Sequence, residues 1–176
     1  MGEQQHTVND TVRLAELIKS IRVAMFHTFL DPPSPATGSN IHARPMYTQK
    51  LDPKAFEGEL WFFTGAESAK VMELERNPRV MLSYADNSSN HYVVAWGMAR
   101  CEHNPAKAAQ LWNVHAKGWW PEGPASDDLT LIRVELTSAE YWDGPSSASY
   151  MLKLAKAVAT GERIKTYGEH GIVTNP

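Results

Sequence analysis

The residues with the most capacity for chemistry lie in one stretch, Leu60-Trp61-Phe62-Phe63-Thr64-Gly65-Ala66-Glu67-Ser68-Ala69-Lys70-Val71. An aromatic run ends in the hydroxyl of Thr64, turns through Gly65 and enters a helical pattern opened by Ser68 and Lys70. The start of a helix leaves amide N–H groups unpaired and carries a partial positive charge, which suits a phosphate. Thr64 and Ser68 add hydroxyls and Lys70 a full charge. Arg44, on a neighbouring strand pattern, can close the far side with paired donors. That set reads as a phosphomonoester site. The same residues also fit a Ser-capped, solvated helix start, and local chemistry leaves both readings open.

Other chemistries find less in the sequence. Seven histidines are present, but no pair has a spacing such as His-x-x-x-His, and the single cysteine, Cys101, has no second thiol. No metal site is expected. His42, beside the Arg44 strand, is the histidine closest to the candidate site; His91, His103 and His115 read as structural. Neither a Gly-x-Ser-x-Gly elbow nor a glycine-rich nucleotide loop occurs, so acyl transfer and P-loop chemistry have no support. Six tryptophans invite a base-stacking reading, but a net charge of -3 offers no positive groove for nucleic acid. Trp61 and Trp96, set in apolar strands, are expected in the core. Trp119 and Trp120, in Gly118-Trp119-Trp120-Pro121-Glu122-Gly123-Pro124, are expected in a loop at an interface or ligand.

The elements that must position these groups fit one domain over residues 1–176. The 43% hydrophobic and 21% charged composition is ordinarily globular. Leu14, Leu17, Ile18 and Ile21 predict an amphipathic helix over 11–21, capped by Asn9 or Asp10. Strands are expected over 22–30, 44–49, 59–64, 80–84, 92–101, 129–136 and 140–143. Helices are expected from Ser68 to Asn77, over 105–114, and over 146–161, where Met151, Leu154, Ala155 and Val158 form a stripe. The proline-rich 31–40 segment reads as a lid or a surface loop, and the 162–176 tail has little to pack. Short strands without regular strand–helix alternation predict a mainly β fold, an antiparallel β-barrel spanning 22–144 with flanking helices. No apolar run approaches a membrane span and no export signal is visible, so a cytoplasmic protein is expected.

The order Arg44-Pro45-Met46, Leu60-Trp61-Phe62-Phe63-Thr64, Ser68-Ala69-Lys70, Asn77-Pro78-Arg79-Val80 resembles the pyridoxamine 5′-phosphate oxidase-like superfamily. Trp112, Trp119 to Gly123 and Ala139 to Asp143 narrow the resemblance to its general stress protein 26 branch. The resemblance implies an FMN-binding split barrel, a homodimer with FMN at the subunit interface. Arg44, Ser68 and Lys70 would grip the phosphate, Thr64 and the Phe62-Phe63 backbone would follow the ribityl chain and ring, and Met46 would lie near the isoalloxazine. Trp119 or Trp120 would give aromatic cover from the partner. Many superfamily members carry Arg where this chain has Ala69, one cation fewer. The segment from Thr166 to Pro176 has no arginine, unlike the arginine-rich end that holds substrate in the oxidase proper, which speaks against pyridoxamine 5′-phosphate oxidase activity.

The expected function is therefore an FMN-dependent oxidoreductase, with FAD as the alternative flavin and NADPH or NADH as donor. Two further readings are a non-catalytic flavin-binding or flavin-buffering stress protein, and a β-barrel binder of haem or a deazaflavin.

Overall fold

The computed structural model describes residues 2–145, 147–161 and 168–176. The first element, α1, runs Gly2–Ile21 and so begins nine residues before the expected start. Nothing in 2–10 is glycine or proline beyond Gly2 itself, so no breaker stops the helix from propagating back. Asp10, expected as a cap, instead accepts a hydrogen bond from the Tyr141 hydroxyl at 2.7 Å. Leu14, Ala15, Leu17 and Ile18 are buried, the stripe the spacing predicts.

Next come β1 (Val23–Phe29), β2 (Ile41–Tyr47) and β3 (Glu59–Gly65). Helix α2 (Ala69–Arg76) leads to β4 (Arg79–Asp86) and β5 (His91–Glu102). The helix expected over 105–114 is two helices, α3 (Pro105–Leu111) and α4 (Val114–Trp119). Asn113 makes the break, because its side chain accepts from the amides of His115 and Ala116 and starts a new helix. Trp119 therefore ends a helix rather than sitting in a loop. The two strands expected over 129–136 and 140–143 are one, β6 (Leu129–Asp143). Helix α5 (Ser147–Thr160) ends at Gly161, whose φ of +70° suits glycine.

The sheet order is β2-β1-β4-β5-β6-β3, antiparallel throughout. Thr48 bridges Phe62, and the Gln49 amide donates to the Trp61 carbonyl at 2.9 Å, so the two ends of the sheet meet and it curls into a half-barrel. A bulge between Trp96 and Gly97 bends β5 on β6. Gly97 is required there, since a Cβ would stand 2.4 Å from the Glu135 carbonyl oxygen.

The tail is a correction to the expectation from sequence. Residues 162–167 lie outside the described ones, but β7 (Glu169–Thr174) pairs with the second half of β6, and Val173 is buried. The expected α5 stripe is not packed on this chain: Met151 and Val158 are 60% and 78% exposed. Its amphipathic spacing marked a helix without naming what the apolar face would meet.

Inside the half-barrel Phe26, Phe62, Leu82, Tyr84, Val93 and Ile132 pack against α1, with the Phe26 and Phe62 rings edge to face at 5.2 Å. A second cluster sits outside β3 and β6, where Trp61, Leu129 and Leu131 meet Ala108 and Leu111 of α3. Trp61 is thus core, as expected. Trp96 is not: it is 37% exposed, because alternation on β5 turns Ala95 and Gly97 inward and Trp96 out. No described helix is long and apolar enough to cross a membrane.

Candidate functional site

The end of β3 and the start of α2 bring the predicted hydroxyls and cation together. Thr64, 4% exposed, lies 3.0 Å from the Ser68 hydroxyl and accepts from Lys70 Nζ at 2.9 Å. Ser68 holds the N-cap position of α2, yet its side chain makes no capping hydrogen bond. Its hydroxyl meets Thr64 rather than the first-turn amides, so the Ser68 side chain does not cap the helix. Burial lowers the pKa of Lys70 below its ordinary 10.5, and the nearby Arg44 charge lowers it further, while Glu73 opposes both. Among the described residues Lys70 forms no ion pair.

Arg44 is held elsewhere. Its guanidinium pairs with Glu73 of α2 and donates to the Thr28 hydroxyl at 2.7 Å. Thr28 also donates to Glu73 at 2.6 Å, and His42 Nδ1 lies 2.8 Å from the other carboxylate oxygen. Partial burial disfavours the Glu73 carboxylate, but the hydrogen bonds from Thr28, His42 and Arg44 outweigh it and hold the pKa below the ordinary value of 4.5. Arg44 and Lys70 are close enough to repel, and an anion between them would relieve that repulsion. Neither Glu73 nor Thr28 was singled out in the sequence. A glutamate three residues after Lys70 on a helix is one face of that helix, which was the available signal.

Beside this cluster opens a cleft of about 460 Å³, inside the usual range for small-molecule sites. Of the predicted residues Pro45, Met46, Phe63, Thr64, Lys70, Trp119 and Trp120 line it. Phe62 does not, since strand alternation points its ring into the core. Ala69 lines a separate cavity of about 380 Å³ with His42 and the Asp31–Pro35 stretch, so the proline-rich loop does not cover the cleft. Phe63 meets Trp120 edge to face at 6.1 Å, and Trp119 is 80% exposed.

Six lining residues were not among those predicted: Tyr47, Gln49, Gly65, Asn113, His115 and Ala116. Asn113 donates to the Gln49 side-chain oxygen at 2.8 Å, and the Tyr47 and His115 rings lie 5.5 Å apart. The Asn113 break that splits α3 from α4 is what aims these groups at the cleft. No carboxylate lines it among the described residues. Nor do the described residues contain a metal-binding group of three His, Cys, Asp or Glu side chains. Burial pushes the Cys101 thiol up to about 11, so it is no nucleophile.

A curled antiparallel sheet with flanking helices defines the split-barrel class. Within it, the chain belongs to the pyridoxamine 5′-phosphate oxidase-like family, whose sequence pattern matches residues 9–165. No curated protein sequence matches it. Among solved structures it is similar to a general stress protein 26 from Jannaschia sp. CCS1, at 20% identity over 96% of this chain and 99% of that one, TM-score 0.76. It is also similar to the general stress FMN/FAD binding protein of Xanthomonas citri, at 26% identity over 78% and 90%, TM-score 0.63. A general stress family protein from Xanthomonas campestris pv. campestris matches at 25% identity over 79% and 90%, TM-score 0.64.

Proposed function

We propose that this chain is a single-domain FMN-binding stress protein that acts as a homodimer and as a flavin-dependent oxidoreductase, with FAD as the alternative flavin. The carrying observation is the Thr64–Ser68–Lys70 cluster, in which buried Thr64 meets half-buried Ser68 and a cation that has no ion-pair partner among the described residues, with Thr64 and Lys70 opening onto an aromatic cleft. That donor set fits a phosphomonoester and the cleft walls fit a planar ring. The flavin binding of the Xanthomonas citri neighbour supports the same reading.

Lys70, Ser68 and Thr64 would hold the phosphate with the open amides at the α2 start, and Arg44 would share it once drawn from Glu73. Phe63, Met46 and Trp120 would bound the ring, while Gln49 and Asn113 supply polar contacts. When bound, the flavin supplies hydride or electron transfer at its ring. The chain's part is to orient it and exclude water, with Lys70, Tyr47 and His115 the polar side chains nearest the ring beside Gln49 and Asn113. Val23, Met25, Trp96 and Met98 leave apolar surface exposed on the outer sheet face, which supports a second subunit there.

An absorbance spectrum after FMN addition and desalting tests this, with the oligomeric state read by sedimentation. About one FMN per chain in a dimer, bleached by NADPH or NADH, is the expected result. Flavin that is retained but never reduced moves the reading to a flavin buffer. A haem or deazaflavin spectrum, or no retained chromophore, refutes it.

A further inference from the structure

Arg44 can serve a flavin phosphate only by leaving Glu73, and that exchange has a charge requirement. Glu73 Oε2 accepts from Arg44 and from the Thr28 hydroxyl, while Oε1 lies 2.8 Å from His42 Nδ1. The Arg44 and Glu73 side chains are 15% and 13% exposed and Thr28 is fully buried, whereas the His42 side chain is 53% exposed. The cluster is a largely buried ion pair with one corner open to solvent.

Without a ligand, Arg44 neutralises Glu73, and Lys70 has no ion pair among the described residues. A doubly charged phosphate reverses this balance. Held by Arg44 and Lys70, it engages both cations and leaves the Glu73 carboxylate with neutral partners only. A largely buried charge left uncompensated is strongly destabilising. Thr28 can give it one hydroxyl proton and no charge. His42 can give it a charge, because imidazole gains a proton close to neutral pH, and its exposure lets that proton come from water.

The other groups around His42 do not substitute for it. Asp31 of the proline-rich loop and Arg76 of α2 line the same cavity as His42 and Glu73 and are opposite in sign. Thr28, across on β1, meets the His42 carbonyl and not its ring. Arg44, two residues along β2, is the cation that the phosphate draws off.

We infer that His42 is a positioning residue for the flavin phosphate: it takes up a proton and holds Glu73 as the phosphate draws Arg44 away, so that cofactor binding is coupled to proton uptake at a ring outside the cleft. The identity of the anion rests on the flavin reading; the exchange of partners at Glu73 needs only a doubly charged anion at Arg44. The gain in affinity is present in full at pH below the titration of the ring in the free protein and is lost as pH rises through its titration in the complex.

The experiment measures FMN affinity by flavin fluorescence at pH ~6 and pH ~8.5 for wild type, His42→Asn, Glu73→Gln and the double variant. Asparagine keeps a neutral donor near the place of Nδ1 and cannot take up a proton. His42→Asn is expected to weaken FMN binding about tenfold at the lower pH and to change it little at the higher one. Ionisation of the phosphate and of Lys70 is common to both proteins, so their difference isolates the ring. In the Glu73→Gln background the effect of His42→Asn should disappear at both pH values, because no carboxylate remains to be held; a merely structural contribution of His42 would persist. Calorimetry in buffers of different ionisation heat should show wild type taking up more protons on binding than His42→Asn. An equal pH response in wild type and His42→Asn, or a His42→Asn effect that survives in Glu73→Gln, overturns the inference. If none of the proteins binds FMN, the flavin reading falls, and sulfate, a doubly charged anion that does not titrate in this range, decides the exchange at Glu73 by the same comparison.

Discussion

Replacing Lys70 by alanine isolates the phosphate end of the proposed site. Lys70 is the cleaner target than Arg44, because removing Arg44 also strands the Glu73 carboxylate it neutralises. The lysine ammonium has one hydroxyl partner, at 2.9 Å, and no ion pair among the described residues; Glu73 acts on it only from longer range, so a bound phosphate would be its closest counter-charge. Two unit charges about 4 Å apart attract by about 4 kcal/mol at an effective dielectric constant of about 20, before the cost of desolvation. A lost charge-assisted hydrogen bond costs about 1.5–3 kcal/mol, which lies inside that bound and corresponds to about a 10- to 150-fold weaker Kd. Flavin fluorescence quenching on titration with apo protein reads it directly, and riboflavin, which lacks the phosphate, is the control. The pH dependence has a fixed sign. Affinity should rise as the phosphate takes its second charge near pH ~6. It should then fall as Lys70 loses its proton, at a pH below the ordinary lysine value of 10.5 because burial and Arg44 lower its pKa. Lys70→Ala should abolish that alkaline fall. Unchanged FMN affinity in Lys70→Ala, or an equal loss for riboflavin, refutes the phosphate assignment.

Four further outcomes are expected. The Glu73 pKa lies below its unfolded value of 4.5, so its contribution to stability is present above that pH and is lost as pH falls through the folded value. Glu73→Gln should flatten this acid limb of a denaturation series and lower neutral-pH stability by about 1–3 kcal/mol. Gly97→Ala should lower the thermal midpoint through overpacking of about 1–3 kcal/mol, since its Cβ would press on the Glu135 carbonyl at the bulge. Deleting residues 169–176 removes β7 and the buried Val173 and should cost at least the roughly 1.5–3 kcal/mol of that side chain. Leu152→Ser/Val158→Ser on the exposed face of α5 should change monomer stability by no more than about 0.5 kcal/mol per site; a denaturant midpoint on each reads the contrast.

The parts legible in the sequence are those set by local periodicity. The stripe of α1, the strand β3 and the helix start at Ser68 stand where spacing puts them, because each is decided within a few residues, although the side-chain cap expected at Ser68 does not form. The misreadings share a different cause. β7 is too short and polar to announce itself, and it exists because β6 outruns β3 and leaves its second half unpaired. Trp96 looks like a core residue by type, but the alternation of β5 turns it out while Ala95 and Gly97 face in. Tyr47 and His115 become neighbours only because Asn113 breaks one predicted helix into two.

Arg44 carries the same lesson into the chemistry. Its type and strand were readable, and so was its suitability for phosphate. Its partner was not, because Glu73 reaches it from another element 29 residues away. That pairing changes what Arg44 can do. A phosphate at Lys70 must compete with a carboxylate already held by three donors, so Arg44 adds affinity only to the extent that Glu73 yields it. Lys70 forms no ion pair among the described residues and feels Glu73 only from longer range. The two cations that look equivalent in the sequence are therefore unequal in the fold: Lys70 should dominate FMN affinity, and Glu73→Gln should raise the share contributed by Arg44. Comparing Arg44→Ala in the wild-type and Glu73→Gln backgrounds measures that share. A larger FMN penalty in the second background supports the competition, and equal penalties refute it.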